Sequence, residues 1–178
     1  MKFQPFITRG CDSTRVQTMI CPATKVELEQ TRQTPVWRTD WTSDYIQQSN
    51  ALLYAQKTEF GELVGLAAYE LLKSIIAVNV LYMESEPDSG PEVARESRNY
   101  RNIGRSFIAF GIKLSIDHGF NGDITFSAKT PELARHYERD FGAIRIPSRS
   151  STDSAPRYLI CDEAAQSIFE MYLEEDEI

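Results

Sequence analysis

The chain has 178 residues, enough for one domain with a sizeable core and too few for two, and its 42% hydrophobic and 25% charged residues are ordinary globular values. The net charge of −7 is local: Asp162, Glu163, Glu170, Glu174, Glu175, Asp176 and Glu177 supply it, no Lys or Arg follows Arg157, and the balanced body before them gives no electrostatic basis for general nucleic-acid binding. Cys11, Cys21 and Cys161 form no C-x-x-C pair, His118 and His136 are too few for a metal cluster, and no apolar run has membrane-spanning or signal-peptide character; the expectation is a soluble, reducing, cytoplasmic protein without metal.

In chain order, "CPATKVELEQTRQ" predicts a helix after Pro22, and "TDWTSDYIQQ" a second short one carrying Trp37 and Trp41 four residues apart. From Ala51 the runs "ALLYAQK", "ELVGLAAYEL" and "SIIAVNVLYM" predict an antiparallel meander, their β-branched and aromatic residues separated by short turns. The polar stretch from Glu86 to Asn99 reads as a long loop, either a flap or a plain connection. "YRNIGRS" then opens a helix in which Ile108, Ile112 and Ile116 predict a buried stripe. "ITFSA" follows as a strand. Thr130 is an N-cap with Pro131 at the first helical position, and "ELARHYERDFG" runs to Gly142 as the stop. "AIRI" and "PRYLICD" are two strands joined by a "PSRSSTDSA" hairpin loop, and "EAAQSIFEMYLEE" is a last helix capped by Asp162. The order predicts a single α/β (α+β) domain over 1–178, with a mixed, mostly antiparallel sheet flanked by helices.

The basic start of the third of these helices carries the chemistry. A helix N-terminus has unpaired N–H groups and partial positive charge, so Arg101 and Arg105 there work against the helix unless an anion lies opposite. Gly104 permits close approach, and the set describes a pyrophosphate cradle. A solvated basic turn is the alternative.

Placed after a meander and before a strand-helix-strand series, R-x-x-G-x-small resembles the Q/R-x-x-G-x-G/A motif of the GNAT family of acyl-CoA-dependent N-acyltransferases. Arg101, Gly104 and Ser106 stand at its positions, with Ser106 in place of the usual Gly or Ala. The resemblance covers about Ala51 to Asp162. It implies the GNAT-like fold and binding of the acetyl-CoA pyrophosphate by the amides from Asn102 to Ser106, so that Arg101, Asn102, Ile103, Gly104, Arg105 and Ser106 are cofactor-binding. It also implies a splay between "IAVNVLYME" and "ITFSA" that takes the pantetheine arm, with backbone groups from Leu81 to Met83 pairing it like an added strand. A strand amide there would polarise the thioester carbonyl.

The family's leaving-group acid is a tyrosine in a Y-x-x-x-G-F context. Here Tyr137 stands five residues before Gly142 and Glu138 takes the four-residue place; Leu133, Tyr137 and Phe141 also describe an apolar stripe, so catalytic and core roles both stay open. For the base the resemblance points to Glu84 or Glu86 at the strand exit, with Tyr82 a further candidate and a solvated surface acid the alternative. Trp37, Trp41 and Tyr45 are candidate walls of an acceptor pocket, or core. Two functions follow: an N-acetyltransferase acting on a primary amine of a small molecule or protein, or an acyl-CoA-binding module without catalysis. The acidic end fits a cationic acceptor, and a homodimer is compatible with the terminal elements. A nucleotide-binding protein of another fold would want its glycine loop after the first strand of a parallel sheet, which the meander opposes.

Overall fold

The computed structural model describes residues 1–148 and 155–174. The strands are β1 (Lys2–Phe3), β2 (Phe6–Arg9), β3 (Arg15–Pro22), β4 (Leu52–Thr58), β5 (Leu63–Leu72), β6 (Ala77–Ser85), β7 (Tyr100–Arg101), β8 (Ile124–Ser127), β9 (Ile144–Ile146), β10 (Arg157–Ile160) and β11 (Leu173–Glu174). The helices are α1 (Lys25–Gln30), α2 (Asp44–Gln47), α3 (Ile103–Asp117), α4 (Pro131–Phe141) and α5 (Asp162–Glu170). Nine strands form one sheet in the order β7-β2-β3-β4-β5-β6-β8-β10-β9, and β1 pairs with β11 apart from it. Every pairing is antiparallel except β6 with β8.

Alternation in β5 divides the interior into two cores. Ala67 and Tyr69 face α3, whose Phe107, Ile108 and Ile112 fill the larger core together with Ile124, Phe126 and Ile168. Leu66 and Ala68 face the other way, onto Leu28, Trp37, Trp41 and Ile46. Gly65 lets α3 seat closely, because a Cβ there would fall 2.6 Å from Phe107 and 2.8 Å from Ile103.

The meander, α3, α4 and the C-terminal strands lie where the sequence places them. Four expectations are corrected. The segment before Ala51 holds β1, β2 and β3 as well as helices; in β3 the buried positions are Val16 and Thr18, and a threonine inside blurs the alternation. Trp37 and Trp41 precede α2 in a loop and are buried there. Ile116 is 44% exposed, so the buried stripe of α3 ends at Ile112. Cys161, not Asp162, is the N-cap of α5. The hairpin loop between β9 and β10 falls mostly on residues 149–154, outside those described, as do residues 175–178 of the acidic end. Among the described residues no helix is long and apolar enough to cross a membrane.

Two features of the frame position the site. The parallel ladder of β6 with β8 covers only Val78↔Ile124, Asn79↔Thr125 and Val80↔Phe126. Beyond it the strands part, and the β6 edge from Leu81 onward has no strand beside it on that side among the described residues. In the ladder with β5, Tyr69 meets Val80 and Ala68 meets Tyr82, which leaves Leu81 as the extra residue of a bulge. The bulge resets the alternation: Val78 and Val80 belong to the α3 core, Leu81 and Tyr82 pack on the second core, and Met83 returns to the α3 side.

Candidate active site

Two cavities open at the splay. One, of about 420 Å³, lies over the N-terminus of α3 and reaches Arg101 to Arg105; the other, of about 510 Å³, lies between the end of β6 and residues 36–41. They share Met83, Ser85, Leu133 and Tyr137, so the β6 edge and the inner face of α4 form the passage between them.

The first cavity combines uncapped helix amides with a basic lining. The first helical bond of α3 runs from Ser106 N–H to Asn102 O at 3.0 Å. The amides of Ile103, Gly104 and Arg105 precede it, and the Asn102 side chain caps none of them because it donates to Thr8 Oγ1 at 3.0 Å. Helices α1, α2, α4 and α5 each carry an acid in the first turn, whereas α3 carries none. A Cβ on Gly104 would meet nothing within 4 Å, so the protein's own packing leaves that space open. Five arginines line the cavity, Arg95, Arg98, Arg101, Arg105 and Arg139, against one acid, Asp140, which Arg139 and His136 already engage. Arg95 and Arg98 come from the Glu86–Asn99 segment and Arg139 from α4, three contributions that no local motif announces.

That segment is an ordered strap. It contains 3₁₀ turns at Pro87–Ser89 and Arg95–Ser97, and it is tied down by Glu86 N–H to Val64 O at 2.9 Å, Asn99 N–H to Asp88 O at 3.2 Å and Tyr100 N–H to Ser89 Oγ at 2.9 Å. It supplies Ser89 to the first cavity and Pro87, Gly90 and Pro91 to the second.

Not every expected residue of the cradle points into it. Arg101 lines the cavity but also donates to Ser13 Oγ at 2.7 Å and Gly10 O at 3.3 Å, bracing the β2–β3 turn; its Nε is buried and without a partner among the described residues. Arg105 lies over the Phe141 ring, 5.1 Å from its centroid. Ser106 is corrected: it is fully buried, its amide is spent in the helix, and its hydroxyl accepts from Gln56 Nε2 at 2.8 Å. Gln56 in turn donates to Thr18 Oγ1 at 2.8 Å, and Thr18 to Pro5 O at 3.0 Å. The serine is thus the link that joins the cradle to β4 and β3. Gln56→Ala is expected to lower stability by about 2–4 kcal/mol, from lost packing plus unmade buried bonds. Ser106→Ala added to it should cost little more, a coupling that a double-mutant cycle of denaturant unfolding reads.

Tyr137 is half-buried in the passage, its ring 4.5 Å from that of Phe126 in a T-shaped contact. Burial pushes its hydroxyl pKa up, and the hydroxyl has no hydrogen-bond partner among the described residues. The N–H groups of Gly142 and Ala143 both close on Tyr137 O, five and six residues back, so the last turn of α4 is wider than an α-turn. Glu138, at the four-residue place, instead accepts from Tyr158 Oη at 2.9 Å and lines neither cavity.

Glu84 lines the second cavity, but its carboxylate accepts from Arg38 N–H at 2.7 Å, Thr39 N–H at 3.2 Å and Trp41 Nε1 at 2.9 Å. The expectation of a free base is corrected: Glu84 anchors the loop that walls the cavity. Glu86 is buried, which raises its pKa, and it caps the 3₁₀ turn by accepting from Asp88 N–H and Ser89 Oγ. It lines neither cavity. Tyr82 is held by a 2.6 Å bond to Tyr45 Oη, and burial and that bond push its pKa to about 12. Of the expected acceptor walls only Trp41 lines the second cavity; Trp37 is core and Tyr45 stands at a separate shallow pocket with Gln48 and Glu70.

The sequence matches no protein-family model and no curated protein. Solved structures do match. An acetyltransferase of the GNAT family from Listeria monocytogenes is 12% identical, with 86% of this chain and 98% of that one covered at a TM-score of 0.54. A GNAT-family acetyltransferase from Staphylococcus aureus is 11% identical, covering 80% and 97% at 0.51. The spermidine/spermine N-acetyltransferase of Vibrio cholerae is 11% identical, covering 81% and 92% at 0.52. The chain has the fold of the GNAT acetyltransferases.

Proposed function

We propose that the protein is an N-acetyltransferase that moves the acetyl group of acetyl-CoA directly to a primary amine. The observation that carries this is the meeting of a basic cavity over the N-terminus of α3 and a largely apolar second cavity at Met83, Ser85, Leu133 and Tyr137. Such a passage lets two substrates react without a covalent enzyme intermediate, and among the described residues no cysteine lines either cavity.

In this reading the amides of Ile103, Gly104 and Arg105 bind the pyrophosphate, with Arg101 and Arg105 adding charge. The unpaired β6 edge from Leu81 to Met83 takes the pantetheine arm by strand addition, and an amide of that edge polarises the thioester carbonyl. A neutral amine attacks the carbonyl carbon; the C–N bond forms, the C–S bond breaks, and Tyr137 gives its proton to the departing thiolate. The proton lost by the amine passes to water, since Glu84 is committed to its loop. The logarithm of kcat/KM should therefore climb with slope one up to the pKa of the acceptor amine, and Glu84→Gln should lower stability without moving that limb. An acidic limb that disappears in Glu84→Gln would return the base role to Glu84.

Commitment of Glu84 is also the observation that favours a binding module without catalysis. Release of CoA thiol from acetyl-CoA, followed by absorbance with a panel of amines, decides between them. Amine-dependent thiol release supports the enzyme; binding of acetyl-CoA with no release for any amine identifies the module.

A further inference from the structure

We propose that the acceptor is an amine carrying a carboxylate on an apolar body, as an α-amino acid with a large side chain does, and that Lys129 receives the carboxylate. This rests on the N-acetyltransferase reading above and names the substrate class of its second cavity.

Four charged side chains line that cavity: Arg38, Glu84, Glu92 and Lys129. Three are matched. Glu84 takes its three N–H donors, and the Glu92 carboxylate pairs with the Arg38 guanidinium across the cavity rim. Lys129 has no carboxylate partner among the described residues. Its ammonium instead sits 5.3 Å from the centroid of the Tyr82 ring, which the Tyr45 bond holds in place.

Its position is suited to recognition. Lys129 follows β8 and precedes the Thr130 cap of α4, so it stands on one bank of the splay while Tyr82 stands on the other. The rest of the wall is largely apolar: Val36, Trp41, Val80, Phe126 and Leu133. A largely apolar chamber with one cation at its edge that has no carboxylate partner among the described residues favours a ligand with an apolar body and one negative group. A polyamine would find both carboxylates already taken and Lys129 opposing it, the arrangement that excludes a competitor by repulsion. The cationic acceptor suggested by overall charge is thus disfavoured by the charges that line the cavity itself.

The test compares initial rates of thiol release from acetyl-CoA with L-phenylalanine, L-methionine and L-leucine, with their carboxamides, and with spermidine. Each amide has the same body and an amine of lower pKa, so its neutral fraction is larger and any advantage of the acid comes from recognition. The acids are expected to exceed their amides about tenfold in kcat/KM, equivalent to about 1.4 kcal/mol, with spermidine slower still. Lys129→Gln should erase that ratio through KM, and Lys129→Glu should invert it. Amides or spermidine equal to the acids, or a ratio that survives Lys129→Gln, would overturn the proposal. Acetyl-CoA binding by calorimetry without turnover of any acid overturns this acceptor class and leaves the donor site standing. No acetyl-CoA binding overturns the donor reading beneath it.

Discussion

Replacing Gly104 by leucine is expected to weaken acetyl-CoA binding at least about 100-fold, some 2.7 kcal/mol, while the melting temperature stays level or rises. Glycine inside a helix costs about 1 kcal/mol relative to alanine. At Gly104 the protein gains nothing from it internally, because a Cβ there would meet no atom within 4 Å and the backbone is ordinary helix. The space it leaves belongs to the cavity in front of three uncapped amides, and in the proposed donor site a side chain would fill the place where the pyrophosphate approaches. Gly65 supplies the contrast. A Cβ there would strike Phe107 and Ile103, so Gly65→Ala should lose stability before it loses affinity. Calorimetric titration and thermal unfolding of the two variants separate the cases, and unchanged affinity in Gly104→Leu would remove the cradle.

Tyr137→Phe should lower kcat by a factor on the order of 100 to 10,000, the range for loss of a general acid, with the acetyl-CoA dissociation constant unchanged. The ring keeps its contact with Phe126, so the substitution removes only the hydroxyl. Since burial raises the pKa, the hydroxyl stays protonated through neutral and mildly alkaline pH, and its contribution falls away only above the ordinary tyrosine value of about 10. Wild-type kcat should accordingly show no tyrosine-dependent fall below that pH. Normal turnover with a lowered melting temperature would make Tyr137 a core residue.

Much of the fold was legible because it is written in local composition. The strands of the meander from Leu52 to Ser85 are apolar runs bounded by turns, and Thr130, Pro131 and Gly142 mark the ends of α4 by their own chemistry. The N-terminal strands were not legible, since Thr18 is buried to bond Pro5 O and Gln56 and so reads as a solvent position. At the site, the basic start of α3 was visible because Arg101, Gly104 and Arg105 lie close together in the chain. Arg95, Arg98 and Arg139 were not, because only the fold brings the strap and α4 beside them. Glu84 and Ser106 were misread for one reason: their partners, Arg38 to Trp41 and Gln56, lie more than forty residues away in the chain. Tyr137 stands five residues before Gly142, and the N–H groups of Gly142 and Ala143 that close on its carbonyl make the last turn of α4 wide.

The most direct measurement is calorimetric titration of the unmodified protein with acetyl-CoA, with CoA and ATP as comparisons. Saturable micromolar binding of acetyl-CoA and CoA, with ATP at least tenfold weaker (about 1.4 kcal/mol), is the expected result. The absence of acetyl-CoA binding, or ATP binding as tightly, would mean that the basic cavity at α3 is not a donor site and that the acyltransferase reading is wrong.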